Sequence, residues 1–403
     1  MIPVAEASAR ILAAFTPLPA EWVTLPQALG RVLAEDVRAT RNQPPKAVSA
    51  MDGYAVRSAD LTEASTALRI IGEIPAGAHL DQALQAGACA RIFTGAPLPD
   101  GADAIAIQEN AERDGDRVVI HGRVAAGTFV RPAGLDIAEG EQVLGCGTLL
   151  SPRHLGLAAS VGRIWLRVHR QPRVAILATG TELVLPGERP GPDQIVCSNS
   201  ITLAGLVSRF GATPIDLGIA PDEPEALLEA ARAVAGCDLV LTSGGASVGE
   251  HDLIRDTLGR DGLQLDFWRI AMRPGKPLLF GHLNGVPLLG LPGNPVSASV
   301  CALLFARGAI RRMLGLDPAL PTRLATLAVD LPANDQRQDY LRAVTEPAPD
   351  GSLRVTPFAR QDSSMFKRFA AADALVIRPP HAERIEAGAA VEIIDLRSEG
   401  LDI

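Results

Sequence analysis

Between residues 173 and 258 short apolar runs alternate with helix-like stretches, and this alternation constrains the fold more than any other feature of the chain. RVAILA (173–178) reads as a strand and TGTEL as the turn behind it. SNSITLAGLVSRFG follows as N-cap, helix and glycine stop. TPIDLGIA is the next strand, PDEPEALLEAARAVAG the next helix, and DLVLTSGG a third strand and its turn. Strands alternating with helices of this length build a parallel sheet with helices on both faces. Ligands of such sheets bind outside the carboxyl ends of the strands. TGTEL, the start of the PDE helix and TSGGASVGEHD all fall at that edge.

The sheet accounts for under half of the chain. With 403 residues the protein exceeds one ordinary core, and two to four domains are expected. Residues 1–40 read as helical, with apolar positions Ile11, Leu12, Phe15, then Leu25, Leu29, Val32 and Leu33. From 44 to 150 short apolar runs broken by Gly and Pro suggest a small β-rich domain, and 151–170 returns to helix and strand. After 265 come LDFWRIAM, the loop RPGKP, the hairpin LLFGHLNGVPLLG, and LPGNPVSA opening a helix that runs to about Met313. From 320 the pattern is β again and suggests a small closed or sandwiched domain.

A net charge of −8 argues against a duplex-binding protein, which needs a basic stripe to displace counterions. Cysteines 89, 146, 197, 237 and 301 form no C-x-x-C pair, so reduced thiols are expected rather than a disulfide or zinc framework. The opening MIPVAEASARILAAF reads as an amphipathic helix rather than a signal peptide. The apolar region around 286–310 carries prolines, Asn294 and Arg307, which rules it out as a membrane span. A cytoplasmic protein is expected.

Several loops carry groups that chemistry could use. Two adjacent glycines in TSGGAS let backbone N–H groups approach a phosphate, although a tight turn explains a lone G-G equally well. Neither a P-loop nor a dinucleotide fingerprint fits here. Glu182, Asp222, Glu250 and Asp252 lie in loops at the same edge, and carboxylates beside a phosphate need a hard cation such as Mg²⁺ between them. For Asp222 an ordinary acidic helix start is the competing explanation, and His251 reads as a solvated loop residue. In SAMDGYAV Asp52 precedes Gly53, and TGAPLPDGAD and FVRPAGLDI hold Thr94, Arg131 and Asp136 in Gly/Pro-rich loops. RPGKP brackets Arg273 and Lys276 with prolines, which would let two cations grip an oxyanion at small entropic cost. Lysine is scarce, occurring only at 46, 276 and 367, so a chance basic hairpin is the weaker explanation.

SAMDGYAV, TGAPLPDGAD, ILATGTEL, SNS, TSGGASVGEHD, RPGKP and LPGNPVSA, in that order over residues 49–298, resemble the molybdopterin molybdenumtransferases of molybdenum-cofactor biosynthesis. QDSSM (361–365) extends the resemblance into the C-terminal region. The resemblance implies an α/β multidomain protein: an α/β parallel-sheet domain with β-rich domains and a C-terminal β-barrel. The implied division is a discontinuous, dimer-forming helical and strand region (1–43 plus 141–168), a β-rich domain (44–140), an α/β molybdopterin-binding domain (169–317) and the barrel (318–403). The implied reaction joins adenylylated molybdopterin and molybdate to give molybdenum cofactor and AMP, with Mg²⁺ or another divalent cation. A homodimer is implied, with molybdopterin adenylyltransferase as a further partner.

Carried over by motif, Asp52, Glu182 and Asp252 take catalytic roles, with Glu182 and Asp252 on the metal. Thr94, Arg131, Asp136, Asp222, Ser243, Gly244, Gly245 and Ser247 belong with the adenylylated substrate. Arg273, Lys276, Pro292, Asn294, Ser297, Arg342 and Ser363 belong with the molybdate end. Two positions depart from many relatives: Thr181 stands where they have Asp, and Arg273 where they have Lys. The second keeps the charge but replaces a point charge by a planar fork. Two alternatives share the fold: a molybdopterin adenylyltransferase, and a non-catalytic scaffold such as the homologous E domain of gephyrin.

Overall fold

The structure is a computed structural model that describes residues 1–244, 262–348 and 351–398. Its contacts divide the chain into a larger unit, Met1–Glu21 with His169–Ile403, and a smaller one, Trp22–Val168.

The centre of the larger unit is a six-stranded sheet. Its order is Thr213–Ala220, Arg173–Thr179, Leu239–Ser243, Val286–Leu291, Leu279–Leu283 and Leu263–Trp268. The first four strands are mutually parallel, as the alternation predicts; the fifth runs antiparallel to them and the sixth antiparallel to the fifth. Residues 174–179 and 239–243 are all buried, which is why these strands read as continuous apolar runs rather than alternating ones. Helix Pro224–Ala233 adds Ala231, joined by Val234 just past its end, to a core with Ala175, Leu177, Val240 and Leu288. Helix Asn199–Arg209 packs against the first two strands and against the helix that opens at Pro295, outside that core. Gly211, at φ +95°, turns the chain out of helix Asn199–Arg209 where the glycine stop was expected.

The helix opening at Pro295 runs to Met313, with one π-helical segment at Ala302–Ala306 between Pro295–Cys301 and Arg307–Met313. A five-stranded C-terminal barrel follows. Ala374–Arg378 pairs with both Ala390–Asp395 and Gln338–Pro347 and so closes it around Ala325, Leu327, Ala343, Val355, Val376 and Ile393. The short strand Met272–Arg273 joins the barrel beside Gln338–Asp339, which ties the RPGKP loop to it.

The smaller unit contains a second six-stranded sheet, in the order Ala104–Ile107, Gly53–Val56, Ala88–Ile92, Ser65–Ile74, Arg117–His121 and Ala111–Asp114. A separate core, with Ala28, Leu33, Leu144, Leu150 and Ala158, joins residues near its two ends and includes helix Pro152–Ser160.

Two expectations need correction. Residues 1–40 are not helical throughout: the helix is Val4–Ala13, followed by strand Ala20–Thr24, a 3₁₀ turn Leu25–Ala28 and strand Val37–Arg38. Pro17, Pro19 and Pro26 remove helical N–H donors along the stretch where Leu25–Leu33 imitates helical spacing. The leading helix also differs in its companions. It belongs to the larger unit, where Ile2 bridges Ile270 and Arg10 pairs with Asp266, rather than with residues 22–43. Among the described residues the five cysteines are free, and no helix is long and apolar enough to cross a membrane.

Candidate functional site

Thr179 pairs with Ala220, and Ser243 with Ala178 and Leu291, so the four strands end within one residue of each other at one edge of the sheet and the loops behind them emerge side by side. The chain crosses from strand Arg173–Thr179 to one neighbour and later returns to the other. A crevice therefore opens between Arg173–Thr179 and Leu239–Ser243.

In the first of these loops Gly180 adopts φ +147°, and a Cβ there would meet the Glu182 carboxylate oxygens at 2.5 and 2.8 Å. The backbone conformation disfavours a side chain at 180, and the Glu182 carboxylate folds back over the space it would take. Asp222, behind the next strand, is pushed above the usual carboxylate range by burial and by the charge of Glu182, against a Thr181 N–H that favours ionisation. Two carboxylates that disfavour each other's charge suit a hard divalent cation. Among the described residues no group of three metal-binding side chains is assembled. Gly245, Ser247, Glu250, His251 and Asp252 lie outside the described residues.

Glu182 lines a cavity of about 510 Å³ together with Thr179, Ser243, Gly244, Asn199 and Gly293. Gly244, at φ +102°, has a structural reason of its own: a Cβ would sit 2.2 Å from the Thr179 carbonyl oxygen. The first of the two glycines is therefore demanded by the neighbouring strand, whatever binds in front of it. Asn199 opens its helix and donates from Nδ2 to Ser243 Oγ at 2.6 Å and to the Gly293 carbonyl at 2.7 Å. The buried hydroxyl of Thr179, on the cavity wall, has no hydrogen-bond partner among the described residues.

A second cavity of about 360 Å³ shares Pro277, Pro292 and Asn294 with the first. Lys276, Ser297 and Ser363 line it as expected, and so do Arg273, Arg337, Gln361 and Asp362. Ser297 is buried in the first turn of its helix. Asn294 donates to Ser363 Oγ at 2.9 Å and links the loop to the barrel. Gly275 is required by contact, since a Cβ would lie 2.6 Å from Cys301 Sγ.

Arg273, which shares this cavity with Lys276, is also tied to acidic groups of the barrel. Its guanidinium is committed to Asp339, with Asp335 and Asn334 at 3.5 and 3.3 Å. The cause is register: Arg273 pairs with Asp339 across the two strands. Arg342 lies one layer back from the cavity. It is 1% exposed, and its backbone is held on both sides by Gln361. Its Nε and Nη1 have no partner among the described residues, and burial lowers its pKa.

In the smaller unit Asp52 accepts hydrogen bonds from the Thr94 N–H at 2.7 Å and the Thr94 hydroxyl at 2.8 Å. These bonds, with the Arg91 charge in support, hold its carboxyl below the usual range. Arg91 also donates to the Gly53 carbonyl and lies over the Tyr54 and Phe93 rings. Strand Val130–Arg131 pairs with Val48–Ser49, next to the Asp52 segment. Asp136 is exposed, and its backbone N–H is bonded to the Gln43 carbonyl.

Asn199 and Arg337 were not singled out as site residues from the sequence, nor was the tie between Arg273 and Asp339. SNS was visible as a motif, but an amide gives no local sign that it will bridge two strand ends. Arg337 lies in a polar stretch, NDQRQDY, that resembles a plain loop.

Residues 2–162 match the family model of the MoeA N-terminal region (domain I and II), 175–312 that of a probable molybdopterin binding domain, and 324–396 that of the MoeA C-terminal region (domain IV). The chain is 36% identical over 387 residues to molybdopterin molybdenumtransferase 2 of Mycobacterium tuberculosis, covering 93% of this chain and 94% of that protein. It is 40% identical over 304 residues to the molybdopterin molybdenumtransferase of Nostoc sp., covering 73% and 70%. The crystal structure of a molybdopterin biosynthesis MoeA protein from Pyrococcus horikoshii matches it with a TM-score of 0.88 at 30% identity, covering 99% of this chain and all of that one. From end to end, then, the chain belongs to the MoeA family of molybdopterin molybdenumtransferases, enzymes of molybdenum-cofactor biosynthesis.

Proposed function

We propose that the protein inserts molybdenum from molybdate into adenylylated molybdopterin, releasing AMP and forming molybdenum cofactor. The observation that carries this reading is the pair of adjoining cavities, one with an acidic wall and one with cationic groups, sharing Pro277, Pro292 and Asn294. Two reactants of different chemistry can then meet across a common wall.

On this reading the larger cavity takes the adenylylated substrate. Ser243, Gly244 and Asn199 orient it at the sheet edge. Glu182 and Asp222 fit a divalent cation, Mg²⁺ in the simplest case, because their mutual repulsion is relieved by it. When bound, that cation supplies charge neutralisation at the phosphoanhydride. Lys276 and Ser297 hold molybdate in the smaller cavity, with Ser363 fixed by Asn294 and Arg342 supplying positive charge from behind. The dithiolene sulfurs displace molybdate oxygens at the junction.

The reading includes a homodimer in which the Asp52–Thr94 segment of one subunit completes the site of the other. Molybdopterin adenylyltransferase, which makes the substrate, is the natural donor partner. Mixing Asp52→Ala with Glu182→Ala subunits should restore partial activity, and no recovery after verified subunit exchange counts against a shared site. The primary test is AMP release from adenylylated molybdopterin, with and without molybdate. Release that needs molybdate supports the assignment; no release under either condition favours a non-catalytic role.

A further inference from the structure

The three cations lining the smaller cavity are committed to different degrees. Arg273 is bound to Asp339 and reaches Asp335 and Asn334, so both of its Nη groups face acceptors of the framework. Lys276 has no ion-pair partner among the described residues. Arg337 stands between these extremes. Its Nη2 lies 2.7 Å and its Nε 3.3 Å from the two Asp335 oxygens, and its own backbone N–H reaches Asp335 Oδ1 at 2.9 Å. One edge of the guanidinium is therefore clipped, while Nη1 makes no hydrogen bond among the described residues. The side chain is 26% exposed and lines the cavity with Lys276, Ser297 and Ser363.

The charges around the cavity do not cancel. Asp335 is shared by Arg337 and Arg273, Asp339 is faced by Arg273 and Arg378, and Asp362 on the cavity wall is faced by Arg342. With Lys276 this makes five cations around three acids, a surplus of two positive charges. A tetrahedral dianion matches that surplus.

We infer that Arg337 is a further oxyanion-binding residue of this cavity, presented by Asp335, and that Arg273 is a positioning residue holding Asp335 and Asp339 from behind. A guanidinium clipped along one edge loses little freedom when its other edge meets an oxyanion, and it offers directed N–H donors that a lysine lacks. The clip also explains how Arg273 serves where relatives carry lysine: its fork spans two acids at once. The inference rests on the assignment of molybdate to this cavity.

The test is calorimetric titration of sodium molybdate into the full-length protein, with adenylylated molybdopterin titrated separately and melting temperature recorded for every variant. Arg337→Gln should weaken molybdate about tenfold or more, leaving the melting temperature and the second ligand nearly unchanged. Asp335→Asn should weaken molybdate in the same direction by a smaller factor. Arg337→Lys, which keeps the charge without the fork, should recover only part of the loss and provides a second variant should Arg337→Gln fold poorly. If Lys276→Ala weakens molybdate and neither Arg337 variant does, the inference fails while the cavity assignment stands. If none of these variants weakens it, the assignment itself fails. Equal loss of both ligands with a lowered melting temperature makes Arg337 structural and overturns the inference.

Discussion

The larger unit holds two carboxylate clusters built on opposite terms. Glu182 and Asp222 repel each other, and no lysine or arginine pairs with either among the described residues. Asp335 and Asp339 are met by Arg273 and Arg337, and hydrogen bonds from Arg337 hold the Asp335 carboxyl down at about 2. The difference separates a pair of carboxylates whose charges are left unanswered from a pair built into the framework. An unanswered pair destabilises the empty protein and is relieved by a bound cation. An answered pair is already part of the framework and orients whatever its arginines present.

The sharpest way to break this comparison is Glu182→Ala. AMP release should fall about a hundredfold or more at low Mg²⁺, and by less at high Mg²⁺, while molybdate affinity is unchanged. Parallel loss of turnover and molybdate binding would mean that the two clusters are not functionally separate.

Magnesium provides the next largest effect, read as thermal stability. At a hundredfold excess over its dissociation constant the cation should add about 2.7 kcal/mol to the fold. Asp222→Asn should lose most of that gain and yet melt higher than wild type without metal. The sign follows from its raised pKa. Because the folded state binds the Asp222 proton more tightly than the unfolded chain does, the empty fold loses stability as pH rises from 3.8 through the folded value. The magnesium gain should accordingly fade as pH falls through that same value, because protons and metal compete for the carboxylate. A pH-independent magnesium shift would remove Asp222 from the cation site.

Lys276→Ala probes the other cluster. Loss of one charge-assisted hydrogen bond, about 1.5–3 kcal/mol, should weaken molybdate roughly ten- to a hundredfold and leave adenylylated molybdopterin nearly unaffected. Lys276→Arg should recover only part of this, because a planar fork does not reproduce a compact ammonium at a tight turn. The smallest effect belongs to the wall of the larger cavity: Asn199→Ala should cost about 1 kcal/mol in urea unfolding, having removed the donor to Ser243 Oγ and the Gly293 carbonyl. A cost near zero would show that the strand ends hold their spacing without it.

What could be read in advance follows from how far apart the interacting residues lie. RVAILA and DLVLTS announce a sheet because strands buried on both faces have no polar alternation to hide. The helix ending at Met313 and the strands of the barrel were equally plain. Residues 14–40 were misread because apolar spacing there imitates a helix while Pro17, Pro19 and Pro26 forbid it. In the site, Glu182, Lys276, Ser297 and Ser363 stand in motifs and were visible. The commitment of Arg273 was not, since Asp339 comes 66 positions later and is delivered by strand register alone. Gly244 was noticed for the right property with an incomplete reason: its missing side chain makes room for Thr179 as well as for any ligand.

The π-helical segment Ala302–Ala306 carries a consequence for how this protein tolerates length changes. A π turn holds one residue more than the same stretch of α-helix. Ser297 lines the smaller cavity on one side of that extra residue, while Arg307–Met313 packs beside the leading helix on the other. Deleting any single residue between 302 and 306 would remove that extra residue and leave a regular α-helix over the same stretch, with both halves keeping the faces they now present. Both ends would then keep their neighbours. Insertions and deletions are usually forgiven in loops and punished in helices through broken hydrogen bonds. In this helix the π segment is the one place that would absorb a lost residue, whereas a deletion in Pro295–Cys301 or Arg307–Met313 would turn one part about 100° against the other.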